Sequence, residues 1–244
     1  MIEFIIAGIV TGFFSGFFGI GGGTILVPIL LYFGLDIKTA IGVSVTQMTI
    51  SSIFGSVLNY YKGLLKLNDG IFIGIGGSLG ALFSGILVNK LSSQSLGIIF
   101  LSILLFAIIK FFYAPHETDK EELNNKFLLL AVGFCVGLVA ISVGVGGAVM
   151  ITPILVGILN YNLKKAVSLS LFFVVFSSTS GFLSLSYYNL IDYKLGFFVA
   201  IFSMIGTFIG IKIYHEISPK NHKNQLLWWY ILIFILTSSK IFIF

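Results

Sequence analysis

Eight long apolar blocks separated by short polar seams run the length of this 244-residue chain, roughly over 2–33, 39–60, 70–89, 95–113, 127–159, 165–187, 194–214 and 225–244. A helix needs about 20 apolar residues to cross a hydrocarbon core of about 30 Å, so the blocks predict roughly eight to ten membrane segments. With only 9% charged residues and a mean hydropathy of +1.08, the chain lacks the polar surface of a soluble domain. The expected fold is an all-α polytopic membrane protein embedded in a lipid bilayer.

One seam stands apart. Residues 114–126 read Ala-Pro-His-Glu-Thr-Asp-Lys-Glu-Glu-Leu-Asn-Asn-Lys, a charged linker at mid-chain that divides a first unit, 1–113, from a second, 127–244. A shift of 125 residues superposes Gly8 on Gly133, Gly12 on Gly137, Gly19 on Gly144, Gly21 on Gly146, Gly22 on Gly147 and Pro28 on Pro153. After one inserted residue, Lys38 meets Lys164, Ser44 meets Ser170, Ser51 meets Ser177 and Gly80 meets Gly206. The chain therefore reads as two homologous repeats, a pattern found in secondary transporters whose site lies between the repeats near the bilayer midplane.

Each repeat opens on a glycine-rich interruption of an apolar block: Gly19-Ile20-Gly21-Gly22-Gly23-Thr24 in the first and Gly144-Val145-Gly146-Gly147-Ala148 in the second. If each opening block were one unbroken helix, the 14 lysines would divide evenly between the two membrane faces. If each block breaks and turns back, one face gathers Lys62, Lys66, Lys110, Lys120, Lys126, Lys164, Lys165, Lys212, Lys220 and Lys223, and the other keeps Lys38, Lys90, Lys194 and Lys240. The positive-inside rule favours the second arrangement. The repeats are then inverted, the linker is cytoplasmic and both termini are outside. The arms after the breaks, 24–33 and 149–158, are about 15 Å long at the helical rise, half a bilayer, and whether they cross or re-enter stays open.

Glycine lets the backbone leave the helical region cheaply, and exposed amides at membrane depth are tolerated where they line a site. The helix that restarts after a break presents unpaired N–H groups and the positive end of its dipole, which suit a small anion. No arginine occurs and no lysine lies deep in a block, so an anion site must use backbone and neutral side chains. The candidate substrate-binding set is Gly19, Gly21, Gly22, Gly23, Thr24, Ser44, Gln47 and Ser51 from the first repeat, with Gly144, Gly146, Gly147, Ser170 and Ser177 from the second. Gln47 is the most conspicuous member, because an amide in mid-membrane is costly unless paired or facing a cavity. Its counterpart is Phe173. Serines also serve helix packing, and the clusters Gly76, Gly77, Gly80, Gly85 and Gly206, Gly210 read as packing seams.

Several classes are disfavoured. Asp36, Asp69, Asp192, His215 and Glu216 fall at seams, which leaves no buried base for an intramembrane hydrolase and no ligand cluster for a metal. The glycine run lacks the lysine of a nucleotide-binding loop. The chain is therefore expected to be no enzyme and to need no cofactor. The scattered lysines give no nucleic-acid face. Cys135 has no partner and reads as a buried apolar cysteine. The N-terminal run carries Glu3 and no cleavage site, so it reads as a retained first span.

The segments GFFSGFFGIGGGTILVPILL at 12–31, KTAIGVSVTQMTISSIFGSVLNY at 38–60 and GLVAISVGVGGAVMITPIL at 137–155 resemble the sulfite exporter TauE/SafE family, and the resemblance extends over nearly the whole chain. It implies a multi-pass permease of a prokaryotic plasma membrane that moves sulfite, an organosulfonate or a related small sulfur anion, with Gly19, Gly21, Gly22, Gly23, Gly144, Gly146, Gly147, Pro28 and Pro153 as shared motif positions. Ala148 opposite Gly23 departs from that pattern. The alternative is a non-transporting membrane assembly or subunit protein whose glycines serve packing alone. Direction, coupling and homo-oligomerisation stay open.

Overall fold

The computed structural model describes residues 1–19, 21–61, 67–113, 122–123, 125–214 and 219–243. Most of the expected linker, 114–121 and 124, lies outside the described residues.

The described residues form eleven helices: α1 (Ile2–Phe18), α2 (Gly23–Tyr32), α3 (Ile37–Tyr61), α4 (Leu67–Ala81), α5 (Ser84–Lys90), α6 (Ser93–Tyr113), α7 (Lys126–Ser142), α8 (Ala148–Gly157), α9 (Leu163–Tyr187), α10 (Tyr193–Tyr214) and α11 (Pro219–Ile243). Five stretches are long and apolar enough to cross a membrane: Ile37–Tyr61, Gly70–Lys90, Ser93–Lys110, Lys165–Tyr187 and Tyr193–Ile213. Ile2–Phe18, Gly23–Tyr32, Lys126–Ser142, Ala148–Gly157 and Gln225–Ile241 are shorter apolar helices. The protein is an all-helical, multi-pass membrane protein.

Both opening blocks break at their glycines. The first divides into α1 and α2 and the second into α7 and α8, and each arm after a break is ten residues long. Pro28 and Pro153 sit inside these arms. Lacking an N–H, each proline removes the helical bond to the carbonyl four residues earlier and loosens the first turn of its arm.

Helix packing follows the small residues. On α1, β-carbons at Gly8, Gly12 and Gly16 would meet the carbonyls of Val199, Ser203 and Thr207 on α10, and Thr207 Oγ1 donates to the Gly12 carbonyl at 3.2 Å. Gly133 and Gly137 on α7 approach Ile73 and Gly77 on α4 in the same way. Glycines four apart let two backbones touch, the close approach that drives helix association in lipid. Gly76, Gly80, Gly206 and Gly210 lie in these two seams, against Leu130, Phe134, Ile9 and Phe13 respectively. The exposed surface carries large apolar side chains such as Val57, Leu79, Leu105, Ile201, Ile205 and Trp228, whereas Ser44, Gln47, Ser51, Ser170 and Ser177 are buried.

α3 and α9 cross the centre antiparallel, Gly42 packing on Leu190 and Gly55 on Leu171. Contacts also sort the seams into two ends. At one, the Phe4 and Phe33 rings meet at 5.3 Å, Lys38 Nζ donates to the Asn89 carbonyl at 3.2 Å, and Lys240 sits over Tyr32. At the other, Lys165 pairs with Glu122 at 2.6 Å, the Leu123 amide donates to the Leu159 carbonyl, and Lys126 lies over Phe72. From the central breaks, α2 runs to the first end and α8 to the second.

The apolar block over 70–89 falls within the candidate span Gly70–Lys90 and is interrupted by a turn at Leu82 and Phe83, between α4 and α5. Ser184 of α9 holds that turn, donating to the Leu82 carbonyl at 2.6 Å and accepting from the Gly85 amide at 3.0 Å. Cys135 is exposed, not buried. The buried side of α7 carries Leu129, Gly133, Val136, Gly137 and Ala140, and Cys135 is turned away from it.

Candidate functional site

The breaks are built from left-handed glycines. Gly19, Gly21 and Gly22 have φ of 65°, 71° and 45°, and Gly144, Gly146 and Gly147 have 72°, 79° and 80°, a region that side chains bearing a β-carbon enter at a cost. Gly19 ends α1, its amide donating to the Ser15 carbonyl at 2.9 Å. Gly22 and Gly147 are the N-caps of α2 and α8.

The two breaks meet at the centre of the protein. A β-carbon on Gly23 would overlap the Gly144 carbonyl oxygen, and one on Gly146 would stand 3.5 Å from the Gly21 carbonyl. The long central helices hold this junction crosswise. Ile41 of α3 packs on Gly144, and Ser44 of α3 donates to its carbonyl at 2.7 Å. Val167 and Val174 of α9 pack on Gly19 and Gly21. Each central helix thus braces the break that belongs to the other half of the chain.

The candidate residues are all buried, but they do not all serve the junction alike. Ser177 donates to the Phe173 carbonyl at 3.1 Å and reaches the Gly146 carbonyl at 3.5 Å. Ser170 lies further along, bonded to Thr152 inside α8 at 2.8 Å and to the Ala166 carbonyl. Gln47 Nε2 donates to Ser51 Oγ at 3.1 Å, and the Gln47 amide lies against Gly22, where a β-carbon would stand 2.6 Å from Oε1. Thr24 is the second residue of α2, and its Oγ1, like Gln47 Oε1, is buried without a hydrogen-bond partner.

Sequence reasoning passed over Met48, whose sulfur packs between the breaks beside Gly21, Gly23 and Gly146. It also left Thr152, Ile41, Val167 and Val174 unmarked. The available signal was adjacency, because Met48 follows Gln47 directly.

Two helix N-termini therefore converge, supported by hydroxyls and an amide, and no Asp, Glu or His lies among them. Among the described residues no cluster of three or more His, Cys, Asp or Glu could hold a metal. Such a junction offers hydrogen-bond donors and a positive dipole end among buried side chains.

The family description "Sulfite exporter TauE/SafE" matches residues 4–240. The chain belongs to the TauE/SafE family. Three relatives carry the description "probable membrane transporter protein". One from Methanocaldococcus jannaschii is 32% identical over 244 residues, covering 91% of this chain and 89% of its own. One from Bacillus subtilis is 25% identical, covering 86% and 88%, and one from Haemophilus influenzae is 27% identical, covering 74% and 71%. This TauE/SafE protein is accordingly a membrane transporter.

Proposed function

We propose that this protein passes a small anion, sulfite or a related sulfur oxyanion or organosulfonate, across a prokaryotic plasma membrane through the junction of its two glycine breaks. The observation that carries the reading is the convergence of the α2 and α8 N-termini, each capped by a left-handed glycine, Gly22 and Gly147. Their dipole ends supply positive potential where no basic side chain stands, and neighbouring hydroxyls and the Gln47 amide replace hydration. Sulfur-anion chemistry comes from the family description, and the preference for a small anion from the helix ends.

The two halves act as inverted repeats in this reading. Supporting it, Ile41 and Val167 are matched positions that each pack on the opposite half's first break glycine, Gly144 and Gly19. The arms α2 and α8 also run to opposite ends. The end with Lys38 and Lys240 holds few lysines and faces outside, which puts the 114–126 linker in the cytoplasm.

The test is flux in proteoliposomes containing the purified full chain, with sulfite, sulfate, thiosulfate, a sulfonate and a carboxylate offered in turn. Saturable flux of sulfite or another sulfur anion above protein-free vesicles supports the reading. Flux of none of them, from monodisperse protein, overturns it in favour of a non-transporting assembly role.

A further inference from the structure

The two breaks are chemically unequal. At the start of α2 the Gln47 amide lies on Gly22, and Thr24 is the next polar side chain. At the start of α8 the Phe173 ring takes the matching place, 2.5 Å from where a β-carbon of Gly147 would stand, and the following residues are Ala148 and Val149. Among the buried side-chain polar atoms without a hydrogen-bond partner, which include Ser15, Ser84 and Ser178 Oγ elsewhere in the core, Thr24 Oγ1 and Gln47 Oε1 lie at the start of α2, both in residues with 0% exposure.

Their chemistry differs. The Thr24 hydroxyl and the helix-start amides are donors. The amides of Gly23, Ile25 and Leu26 turn to the Gly21 and Gly22 carbonyls, and that of Thr24 is not among them. Gln47 presents an acceptor. Its Nε2 donates to Ser51 Oγ, whose own hydroxyl reaches the Met48 carbonyl at 3.5 Å, so with Nε2 engaged there Oε1 is the atom left to accept, and both amide atoms lie beside Gly22, 2.6 and 2.8 Å from where its β-carbon would stand. A buried acceptor without a donor is costly, and a ligand that brings a donor removes the cost.

A fully deprotonated oxyanion has only acceptors, and its lone pairs would face Oε1. An oxyanion that keeps one O–H fits both halves of the set: its charged oxygens take the donors, and its O–H donates to Gln47. Resting on the transport reading, we infer that the first break binds the singly charged, still protonated form of a small oxyanion, and that Gln47 is the residue that selects it. The proton then crosses with the anion and needs no titratable side chain at depth. The helices packed on α3, which are α1, α2, α6, α9 and α10, carry their charged residues at or beyond their ends: Glu3, Asp36, Lys110, Lys164, Lys165, Asp192, Lys194 and Lys212, with Lys38 in the first turn of α3 itself.

Sulfite serves as the probe, because it interconverts between singly protonated and fully deprotonated forms near neutral pH, with sulfate as the anion that stays unprotonated there. Initial flux into proteoliposomes is measured against pH at fixed total sulfite. Wild-type flux should follow the hydrogen sulfite fraction, falling about tenfold per pH unit once the dianion dominates, and should exceed sulfate flux. Gln47→Met keeps the length and removes the acceptor, so it should flatten the pH profile and narrow the preference over sulfate. Thr24→Val removes a donor that serves either form, so it should lower flux at every pH by the same factor. Wild-type flux that rises with the dianion overturns the inference and leaves transport standing, as does a Gln47→Met profile identical to wild type. Absence of oxyanion flux in the wild type removes both.

Discussion

The α-carbon of Gly23 faces the carbonyl oxygen of Gly144 so closely that a single added methyl would overlap it. This contact joins the start of α2 to the second break, 121 residues away in sequence. Because the neighbour is backbone, nothing flexible can swing aside. Gly23→Ala should therefore cost about 2–3 kcal/mol, in the range of core overpacking. Gly34→Ala is the matching control: its φ is 85° but nothing lies within 4 Å, so only the left-handed strain of about 1–2 kcal/mol applies. Thermal unfolding in detergent should rank wild type above Gly34→Ala and Gly34→Ala above Gly23→Ala.

Met48 fills the junction between the breaks. Met48→Ala should leave a cavity there and lose about 2–5 kcal/mol of stability. It should keep anion flux or raise it, since the plug is removed and the donors remain. Loss of flux from a folded, monodisperse variant would instead make the thioether part of the pathway's recognition surface.

Asp36, in the seam between α2 and α3, accepts from the amides of Lys38 and Thr39 at 2.9 and 3.1 Å and from the Thr39 hydroxyl. Partial burial pushes its carboxyl up, but the Thr39 and Lys38 hydrogen bonds outweigh that and hold it below the ordinary carboxylate value. A lowered folded value means the stabilisation is fully present above the unfolded pKa of about 4 and is lost as pH falls through the folded one. Asp36→Ala should cost about 1 kcal/mol at neutral pH, as a lost helix cap does, and the difference from wild type should shrink in acid. Melting temperatures across an acid pH series check both signs.

Much of the architecture was legible because its determinants are local. Three near-consecutive glycines followed by an arm with a proline mark a break wherever they fall, and the structure breaks at both such places, with ten-residue arms. The seams at Gly76, Gly80, Gly206 and Gly210 were legible for the same reason. The turn at Leu82–Phe83 was not, because it contains neither glycine nor proline and is held from α9 by Ser184. Removing that clasp with Ser184→Ala should cost about 2 kcal/mol, two buried hydrogen bonds, read as a shift of the unfolding midpoint. Cys135 misled because lipid and protein interior are equally apolar, so hydrophobic surroundings do not tell inside from outside. Which hydroxyls reach the breaks and which, like Ser170, stay tied to α8 depends on how α9 lies across the junction.

The lysine distribution makes a separate demand. A cysteine introduced into the 114–126 linker, in a Cys135→Ser background, should resist a membrane-impermeant thiol reagent in intact cells and react once the membrane is opened. Labelling in intact cells would contradict the inverted arrangement.

The central claim is that the glycine-capped starts of α2 and α8 form the pathway, and anion flux through Gly22→Val and Gly147→Val answers it most directly. Reconstituted side by side with wild type at matched protein content, both variants should remain monodisperse and lose sulfur-anion flux, because valine blocks the left-handed cap and collides with Gln47 or Phe173. Wild-type flux persisting unchanged in either folded variant would contradict the account.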